Sequence, residues 1–248
     1  MGSATVICVD KTGTITENKM RLDKIYTLEG DQITSIEETL SDSERDLLKA
    51  AMWASEPIPF DTMEQSLHKL YGSIIENDQR PNFKMVHEYP LGGKPPMMTH
   101  IFENEKGNRI IAAKGAPEAM MAVSNLNDQQ KNALQLKIAS MAAEGYRVLG
   151  VGISNFEGTD WPKAQQDFRF EFKGLLAFYD PPKGNIEKVF QDFYNAGIAI
   201  KIITGDIAET TAAIAKKVNF RGSEEVISGD DLVNLNAAEL QKVTSEKN

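Results

Sequence analysis

The sequence predicts an α/β fold in which a parallel-sheet domain is interrupted, after its first strand, by an α+β domain built on an antiparallel sheet. Two observations predict this organisation. Short apolar, β-branched runs end at turns that contain aspartate and lead into helical patterns, as the strands of a parallel sheet do. Between the first and second runs lies a long stretch of capped helices, short strands and turn-forming residues, which indicates an inserted domain.

Three runs have the pattern of a buried parallel strand. They cover residues 4–9, 175–179 and 198–203. Asp10 follows the first run, Asp180 the second, and Thr204-Gly205-Asp206 the third. Because ligands collect beyond the carboxyl ends of the strands in such sheets, we expect the three aspartates to lie along one functional edge.

Helical patterns follow the second and third runs. Apolar residues recur with the spacing of one helix face between Ile186 and Phe193, and Gly197 stands where that helix would stop. Asp206 is placed to cap a further helix that reaches Val218. The order strand, polar turn, helix is thus repeated, as an α/β sheet requires.

The insert begins its helices with recognisable caps. Ser41 with Glu44, and Asn127 with Gln130, are capping boxes, and a further helix is predicted over residues 61–73. Strands are predicted at 84–89, 97–102, 109–113 and 147–153, with turn-forming residues between them. These elements predict an antiparallel α+β domain.

Composition narrows the function classes. The chain has 248 residues, and its 27 Lys and Arg against 36 Asp and Glu give a net charge of −9, which disfavours general binding to nucleic acid or anionic membranes. Cys8 is the one cysteine in the sequence, so there is no internal disulfide and a reducing compartment is expected. No apolar run is long enough to span a bilayer and no signal peptide is evident, so the chain as given is expected to be soluble and intracellular.

The segment after the first strand, Asp10-Lys11-Thr12-Gly13-Thr14, suits a covalent phosphoryl intermediate. The carboxylate of Asp10 is the candidate nucleophile, Lys11 adds a cation, and the loop supplies hydroxyl and backbone N–H groups to phosphoryl oxygens. The alternative is a capped turn in which Asp10 only bonds local N–H groups.

Residues 8–16, Cys-Val-Asp-Lys-Thr-Gly-Thr-Ile-Thr, resemble the phosphorylation motif of the P-type ATPases, ion pumps of the haloacid-dehalogenase-like superfamily. The resemblance implies a Rossmann-like parallel-sheet phosphorylation domain, with Mg²⁺ at Asp10 and Thr12. Related soluble phosphatases carry a second Asp as general acid/base where this chain has Thr12. Without that group an aspartyl phosphate hydrolyses slowly, which suits a pump.

The resemblance extends along the chain in the family's order. Lys114-Gly115-Ala116-Pro117-Glu118 is similar to the family's KGAPE motif, which implies that Lys114 and Gly115 lie in an ATP pocket near adenine. The alternative is a strand that ends in a turn before a helix starting near Pro117. Glu64, in Phe60-Asp61-Thr62-Met63-Glu64, matches the residue that bonds adenine in the family.

Three further residues match nucleotide-binding positions of the family. Tyr89 resembles the aromatic residue that stacks on adenine, Lys94 a lysine that reaches phosphate, and Arg147 a second phosphate-binding position. Taken alone, Tyr89 reads as a core aromatic and Arg147 as a surface charge. Their order and spacing favour the functional interpretation.

Two motifs complete the set. Asp180-Pro181-Pro182-Lys183 resembles the family's DPPR motif, with Lys183 keeping the charge but not the bidentate fork of arginine. Thr204-Gly205-Asp206 resembles the TGD motif, which implies that Thr204 contacts the transferring phosphoryl group while Gly205 and Asp206 lie near nucleotide and Mg²⁺. An ordinary helix-capping turn has the same sequence.

The resemblance implies a phosphorylation domain formed by residues 1–20 and 175–248, and a nucleotide-binding domain formed by 21–174. The family's G-D-G-x-N-D segment, transmembrane helices and T-G-E-S segment are absent, so we expect the cytoplasmic loop of an integral membrane pump, cut within its phosphorylation domain. Such a fragment is expected to bind ATP with little turnover.

Two other functions stay open at this point. One is a soluble aspartate-nucleophile phosphatase, against which Thr12 and the nucleotide motifs argue. The other is a non-catalytic nucleotide-sensing module. If the parent is a pump, the remainder of that pump is the expected partner, and a calcium-like or other light cation is the expected cargo.

Overall fold

The structure, a computed structural model, describes residues 4–158, 160–205 and 208–246, apart from the side chains of Glu209 and residues 244–246. Its internal contacts divide the chain into two compact units. The smaller contains the described residues within Met1–Lys19, Ala142–Tyr146 and Asp180–Asn248; the larger contains those within Met20–Met141 and Arg147–Tyr179. Within the described ranges, no helix combines the length and apolar character needed to cross a bilayer.

Both units contain strands and helices. The strands are β1 Val6–Val9, β2 Arg21–Tyr26, β3 Ile33–Ser35, β4 Phe83–Gly92, β5 Met97–Asn104, β6 Arg109–Gly115, β7 Arg147–Ser154, β8 Glu171–Tyr179 and β9 Ala199–Ile202. The helices are α1 Asp42–Trp53, α2 Thr62–Ile74, α3 Pro117–Val123, α4 Asp128–Ala143, α5 Ile186–Asn195, α6 Ala208–Lys217, α7 Gly229–Val233 and α8 Ala237–Glu246.

The larger unit is built on a seven-stranded antiparallel sheet in the order β3-β2-β8-β7-β6-β5-β4. Helices cover both faces of this sheet, as the contacts of two neighbouring residues of β7 show. Val151 belongs to the core cluster that also contains Leu47 and Leu48 of α1, whereas Gly150 lies against Met120 of α3. The predicted antiparallel α+β insert is confirmed.

Both predicted capping boxes are present. At the start of α1, the Ser41 amide donates to Glu44 Oε2 at 2.7 Å, and the Glu44 amide donates back to Ser41 Oγ at 3.4 Å. At the start of α4, Asn127 and Gln130 make the corresponding pair of bonds at 3.0 and 2.8 Å. These bonds satisfy amides that the first helical turn leaves without intrahelical partners.

The smaller unit contains a parallel pair of strands, in which Val6 of β1 lies opposite Ala199 of β9 and Val9 lies opposite Ile202. The predicted burial of β1 is wrong, since Val6 is 46% exposed. Among the described residues β1 is paired with β9 alone, so half of its side chains face solvent.

The prediction that residues 175–179 form a strand of the parallel sheet is also wrong. They are the second half of β8, which pairs antiparallel with β2 and with β7 near the middle of the larger sheet. A central strand covered by helices on both faces has the same continuous apolar run as a parallel strand, so the pattern alone does not distinguish them.

Candidate functional site

A buried ion pair lies at the end of β6. The ammonium of Lys114 contacts Glu64 Oε1 at 2.5 Å, and both residues are more than nine-tenths buried. Glu64 lies in the first turn of α2, where Asp61 caps the helix by accepting a bond from the Glu64 amide at 2.8 Å. Two residues that are fifty positions apart in the sequence are therefore held at one point.

Neighbouring groups fix the geometry of this pair. Lys114 Nζ also donates to Ser55 Oγ at 2.7 Å, and the Glu56 amide donates to Glu64 Oε1 at 3.2 Å. Burial lowers the pKa of Lys114, while the adjacent Glu64 carboxylate favours the charged form. The ammonium is thus kept away from bulk water and oriented by two oxygen acceptors.

The second carboxylate oxygen of Glu64 is different. In the part of the chain that the structure describes, Oε2 is buried and has no hydrogen-bond partner. A buried acceptor without a partner is uncommon in folded proteins, because it has given up its bonds to water. An acceptor of this kind suits a ligand that brings its own N–H donor.

Gly115 stands where the chain leaves β6. A Cβ at this position would lie 2.5 Å from the Cα of Met97 and 2.6 Å from the carbonyl oxygen of Pro96. The Ala116 amide donates to that same carbonyl at 2.8 Å, and α3 begins at Pro117. The glycine therefore permits the close approach that places Lys114 beside the turn into α3.

Tyr89 is not brought together with Lys114. Tyr89 lies opposite Thr99 and Thr99 opposite Ala113, so Tyr89 shares a sheet face with Ala113. Lys114, the next residue, faces the other side, because side chains alternate along a strand. The Tyr89 ring instead contacts Phe168 edge-on, and its hydroxyl donates to the carbonyl of Pro162.

The two remaining cations predicted for the nucleotide site lie at the surface. Lys94 is exposed in the turn between β4 and β5, and Arg147 is exposed at the first position of β7. Arg147 lies opposite Phe178 of β8. Both side chains are therefore accessible to a charged ligand.

In the smaller unit Asp10 is exposed directly after β1, and its Oδ1 accepts a bond from the Lys11 amide at 2.8 Å. The loop then turns through Gly13, whose φ of +78° favours glycine. Thr12 is exposed, whereas Lys11 is buried. Lys183 Nζ donates to the Gly13 carbonyl at 2.7 Å, so this lysine supports the loop from outside.

Asp180 is a buried residue that holds the same loop by hydrogen bonds. It is 3% exposed, and its two oxygens accept from Thr16 Oγ1 at 2.6 Å and from the Lys19 amide at 2.9 Å. Thr16 Oγ1 in turn accepts from the Gly13 amide at 3.2 Å. The geometry gives Asp180 a positioning contact with the loop that follows Asp10.

Thr204 and Gly205 follow β9. The Ile203 amide donates to the Val9 carbonyl at 2.9 Å, so the carboxyl ends of β1 and β9 are adjacent and Thr204 lies at the same edge as Asp10. This placement is the one expected for strands of a parallel pair. Asp206 lies outside the described residues.

Sequence reasoning missed Ser55, Glu56 and His100, which surround the ion pair. Ser55 and Glu56 follow the end of α1, and His100 is fully buried in β5 with Nδ1 3.2 Å from the Ser55 carbonyl. The available signal was His100 itself, a polar residue at the centre of the apolar run Met97-Met98-Thr99-His100-Ile101-Phe102.

Comparison with known proteins identifies related chains. Residues 60–185 match the family model described as P-type ATPase, cytoplasmic domain N. The chain is 26% identical to a calcium-transporting ATPase of Bacillus subtilis over 99% of its length, and 27% identical to plasma membrane ATPase 2 of Saccharomyces cerevisiae over 91%. It is 25% identical to calcium-transporting ATPase 1 of the same yeast over 100%. The aligned parts cover 32%, 23% and 30% of these relatives.

Proposed function

The chain belongs to the P-type ATPase family, and we propose that it is the ATP-binding and phosphorylation region of a cation-transporting member. The observation that carries the proposal is the buried Lys114–Glu64 pair at the end of β6, with an acceptor oxygen of Glu64 left for a ligand. In this proposal residues 21–174 form the nucleotide-binding domain on the cytoplasmic face of a membrane, and the rest of the pump is the partner.

The adenine of ATP fits the donor and acceptor pattern of this site. Its exocyclic amino group is an N–H donor, and Glu64 Oε2 is the acceptor that has no protein partner among the described residues. Lys114, beside it, supplies a positive charge at the edge of the base. The exposed cations Lys94 and Arg147 are proposed to meet the phosphates, since the chain as a whole is anionic.

Residues 1–20 and 175–248 are proposed to contribute a haloacid-dehalogenase-like phosphorylation domain, although residues 175–179 pair within the larger sheet. A carboxylate oxygen of Asp10 attacks the γ-phosphorus of ATP and ADP leaves, which produces an aspartyl phosphate. Lys11, Thr204 and the loop amides hold the phosphoryl oxygens, while Lys183 and Asp180 keep the loop in position. Asp206 is proposed to act near the nucleotide.

Asp10 and Thr12 offer the oxygen ligands that Mg²⁺ prefers, and both are exposed at the loop. These two residues would hold the ion, with Asp206 and Gly205 nearby in the motif. When bound, Mg²⁺ would neutralise charge on the phosphates. The transported cation is proposed to be a light one, in keeping with the names of the relatives.

Isothermal titration of the chain with ATP and with GTP tests the nucleotide site. Guanine has a carbonyl oxygen where adenine has the amino group. In GTP an acceptor would therefore lie against Glu64 Oε2, which is also an acceptor, and no hydrogen bond could form. An unpaired buried acceptor costs about 1–3 kcal/mol, so we expect ATP to bind about tenfold more tightly than GTP or better. Glu64→Gln introduces an amide donor and should reduce that preference without a large change in side-chain volume.

A matched control separates the site from general charge effects. Lys173 pairs with Glu171 at 2.6 Å in the same sheet, but at the surface. Lys173→Met should leave ATP affinity unchanged, whereas Lys114→Met should lose it. Equal losses in the two variants, or an unchanged ATP-to-GTP preference in Glu64→Gln, would contradict the proposed site.

A separate variant tests whether Tyr89 contributes to ATP binding. A ring that stacks on adenine contributes about 1–3 kcal/mol by analogy with nucleic-acid sites, so its removal would weaken ATP binding. A ring confined to the far face of the sheet would lower thermal stability and leave ATP affinity unchanged. The shared face of Tyr89 and Ala113 favours the second result for Tyr89→Leu.

A further inference from the structure

Three ligand-type side chains converge beside the Lys114–Glu64 pair. Glu88 of β4 lies directly opposite His100 of β5, and Glu56, which follows α1, approaches the same point. One ligand atom from each of the three residues lies within 4.8 Å of the other two. Glu88 is exposed, Glu56 is half-buried and His100 is fully buried, so the cluster has a closed base and an open side.

The hydrogen bonding of His100 determines which nitrogen faces the carboxylates. Nδ1 lies 3.2 Å from the carbonyl oxygen of Ser55, which accepts only an N–H, so Nδ1 carries the proton. His100 is fully buried, which disfavours the charged imidazolium and favours the neutral ring. Nε2 then carries a lone pair; it has no hydrogen-bond partner within the described ranges and lies 3.8 Å from Glu56 Oε1.

A lone pair that faces a carboxylate oxygen is repelled unless a proton or a metal cation lies between them. The surrounding carboxylates strengthen this requirement. Glu88 and Glu64 act on Glu56 as further negative charges, and Lys114 is the positive charge that opposes them. The polar groups on this side of the sheet therefore favour an additional cation.

We propose that Glu56, Glu88 and His100 form a binding site for a divalent transition metal ion of the Zn²⁺ type. One imidazole nitrogen with two carboxylate oxygens is a donor set that zinc accepts, whereas Mg²⁺ and Ca²⁺ take oxygen ligands almost throughout. The bond from His100 Nδ1 to the Ser55 carbonyl is the kind of outer contact that orients a metal-binding histidine.

The distances permit such a site after small side-chain movements. Zinc bonds of about 2.0–2.2 Å at tetrahedral angles place ligand atoms about 3.4 Å apart. The three atoms are now within 4.8 Å of one another, so they must approach by at most about 1.4 Å. His100 is fixed by its neighbours, whereas Glu88 is exposed and Glu56 retains 25% side-chain exposure, so the carboxylates supply the movement.

The test is a calorimetric titration of the whole chain with Zn²⁺ in a Cys8→Ser background. That background matters because Cys8 is an exposed thiol and would bind zinc by itself. We expect one zinc ion per chain, and Mg²⁺ or Ca²⁺ in excess should not displace it. Glu88→Gln changes an exposed residue, so the fold should persist while zinc affinity falls at least about tenfold.

Two matched variants and a spectroscopic signature complete the test. His87→Gln alters the neighbouring histidine of β4, which contacts Tyr89 on the other side of the strand, and Glu103→Gln alters a carboxylate of β5 that pairs with Arg109. Both should bind zinc normally, while His100→Gln should not. Co²⁺ bound to the Cys8→Ser chain should give the visible absorption bands of a four-coordinate site.

An affinity that survives Glu88→Gln and Glu56→Gln would overturn the proposal. So would zinc binding that is lost equally in His87→Gln, since that would assign the metal to surface histidines. Absence of zinc binding to the Cys8→Ser chain would overturn it directly. None of these readouts depends on nucleotide, so the metal site and the proposed ATP site can fail independently.

Discussion

The two candidate sites of this chain differ in how chemistry and stability are combined. Lys114 and Glu64 are buried in the larger unit, and the groups proposed to meet the ligand are also part of the core. In the smaller unit Asp10 is exposed, and the buried contacts that support its loop come from Asp180 and Thr16. Substitutions at the first site should therefore change folding and binding together, whereas those at the second should separate them.

The largest expected effect is on the stability of the larger unit. Lys114→Met leaves the Glu64 carboxylate buried without its partner, and breaking a buried ion pair in this way costs about 3–5 kcal/mol. Urea unfolding monitored by tryptophan fluorescence measures the loss. Trp53 and Trp161 are the two tryptophans of the sequence, and both lie in the larger unit.

Two controls interpret that loss. Lys114→Met combined with Glu64→Leu removes both charges, and an apolar replacement of a buried pair is often neutral or stabilising, so most of the stability should return. Lys173→Met removes a surface pair and should cost less than about 1 kcal/mol. If the double variant is no more stable than the single one, burial of an unpaired charge is not the cause.

A smaller effect is expected in the smaller unit, and it should separate Asp180 from Asp10. Asp180→Ala leaves the Lys19 amide without its acceptor and removes the shorter of the two bonds that the Thr16 hydroxyl donates, which costs about 1–3 kcal/mol. Asp10→Ala changes an exposed side chain and should stay within about 0.5 kcal/mol.

Hydrogen exchange at the backbone amides of Lys19 and Lys183 provides the measurement. The Lys19 amide donates to Asp180, and the Lys183 amide donates to the Ile15 carbonyl. The opening free energy of these amides therefore measures the stability of the loop that Asp180 supports. Asp180→Ala should lower their protection and Asp10→Ala should not. Equal losses of protection would show that Asp10 also stabilises the loop.

Local signals predicted much of the fold. The capping boxes at Ser41 and Asn127 mark the starts of α1 and α4, because side chain and amide lie within one turn and their geometry is contained in the sequence. The strand predicted at 109–113 and the helix start near Pro117 also depend on local signals, and the structure has β6 at Arg109–Gly115 and α3 at Pro117–Val123.

The sequence pattern does not predict contacts between residues that are far apart in the chain. The continuous apolar run of β8 is compatible with either strand direction, and only its pairing with β2 and β7 decides. The contact between Lys114 and Ser55 joins residues 59 positions apart, and that between His100 and Ser55 spans 45. Both depend on where the end of α1 packs on the sheet, which no local periodicity specifies. The opposite faces of Tyr89 and Lys114 likewise depend on strand register.

The smallest expected effect compares two helix caps, one with a buried carboxylate as its partner and one that is exposed throughout. Ser41→Ala removes the hydroxyl that caps α1 and should cost about 1 kcal/mol in urea unfolding.

The pKa of Glu44, the partner of Ser41, gives this cost a pH dependence. Burial of Glu44 favours the neutral carboxyl, but hydrogen bonds from Thr34 and Ser41 outweigh this effect and hold the pKa of Glu44 below the usual 4.5. A depressed folded pKa stabilises the protein above the unfolded pKa, and this stabilisation is lost as the pH falls through the folded value. The cost of Ser41→Ala should therefore shrink as the pH falls below the usual 4.5 and through the depressed folded pKa. Asn127→Ala at the exposed cap of α4 should cost a similar amount at neutral pH and stay constant, because its partner Gln130 does not titrate. Equal pH dependence in the two variants would mean that Glu44 titrates alike with and without its cap.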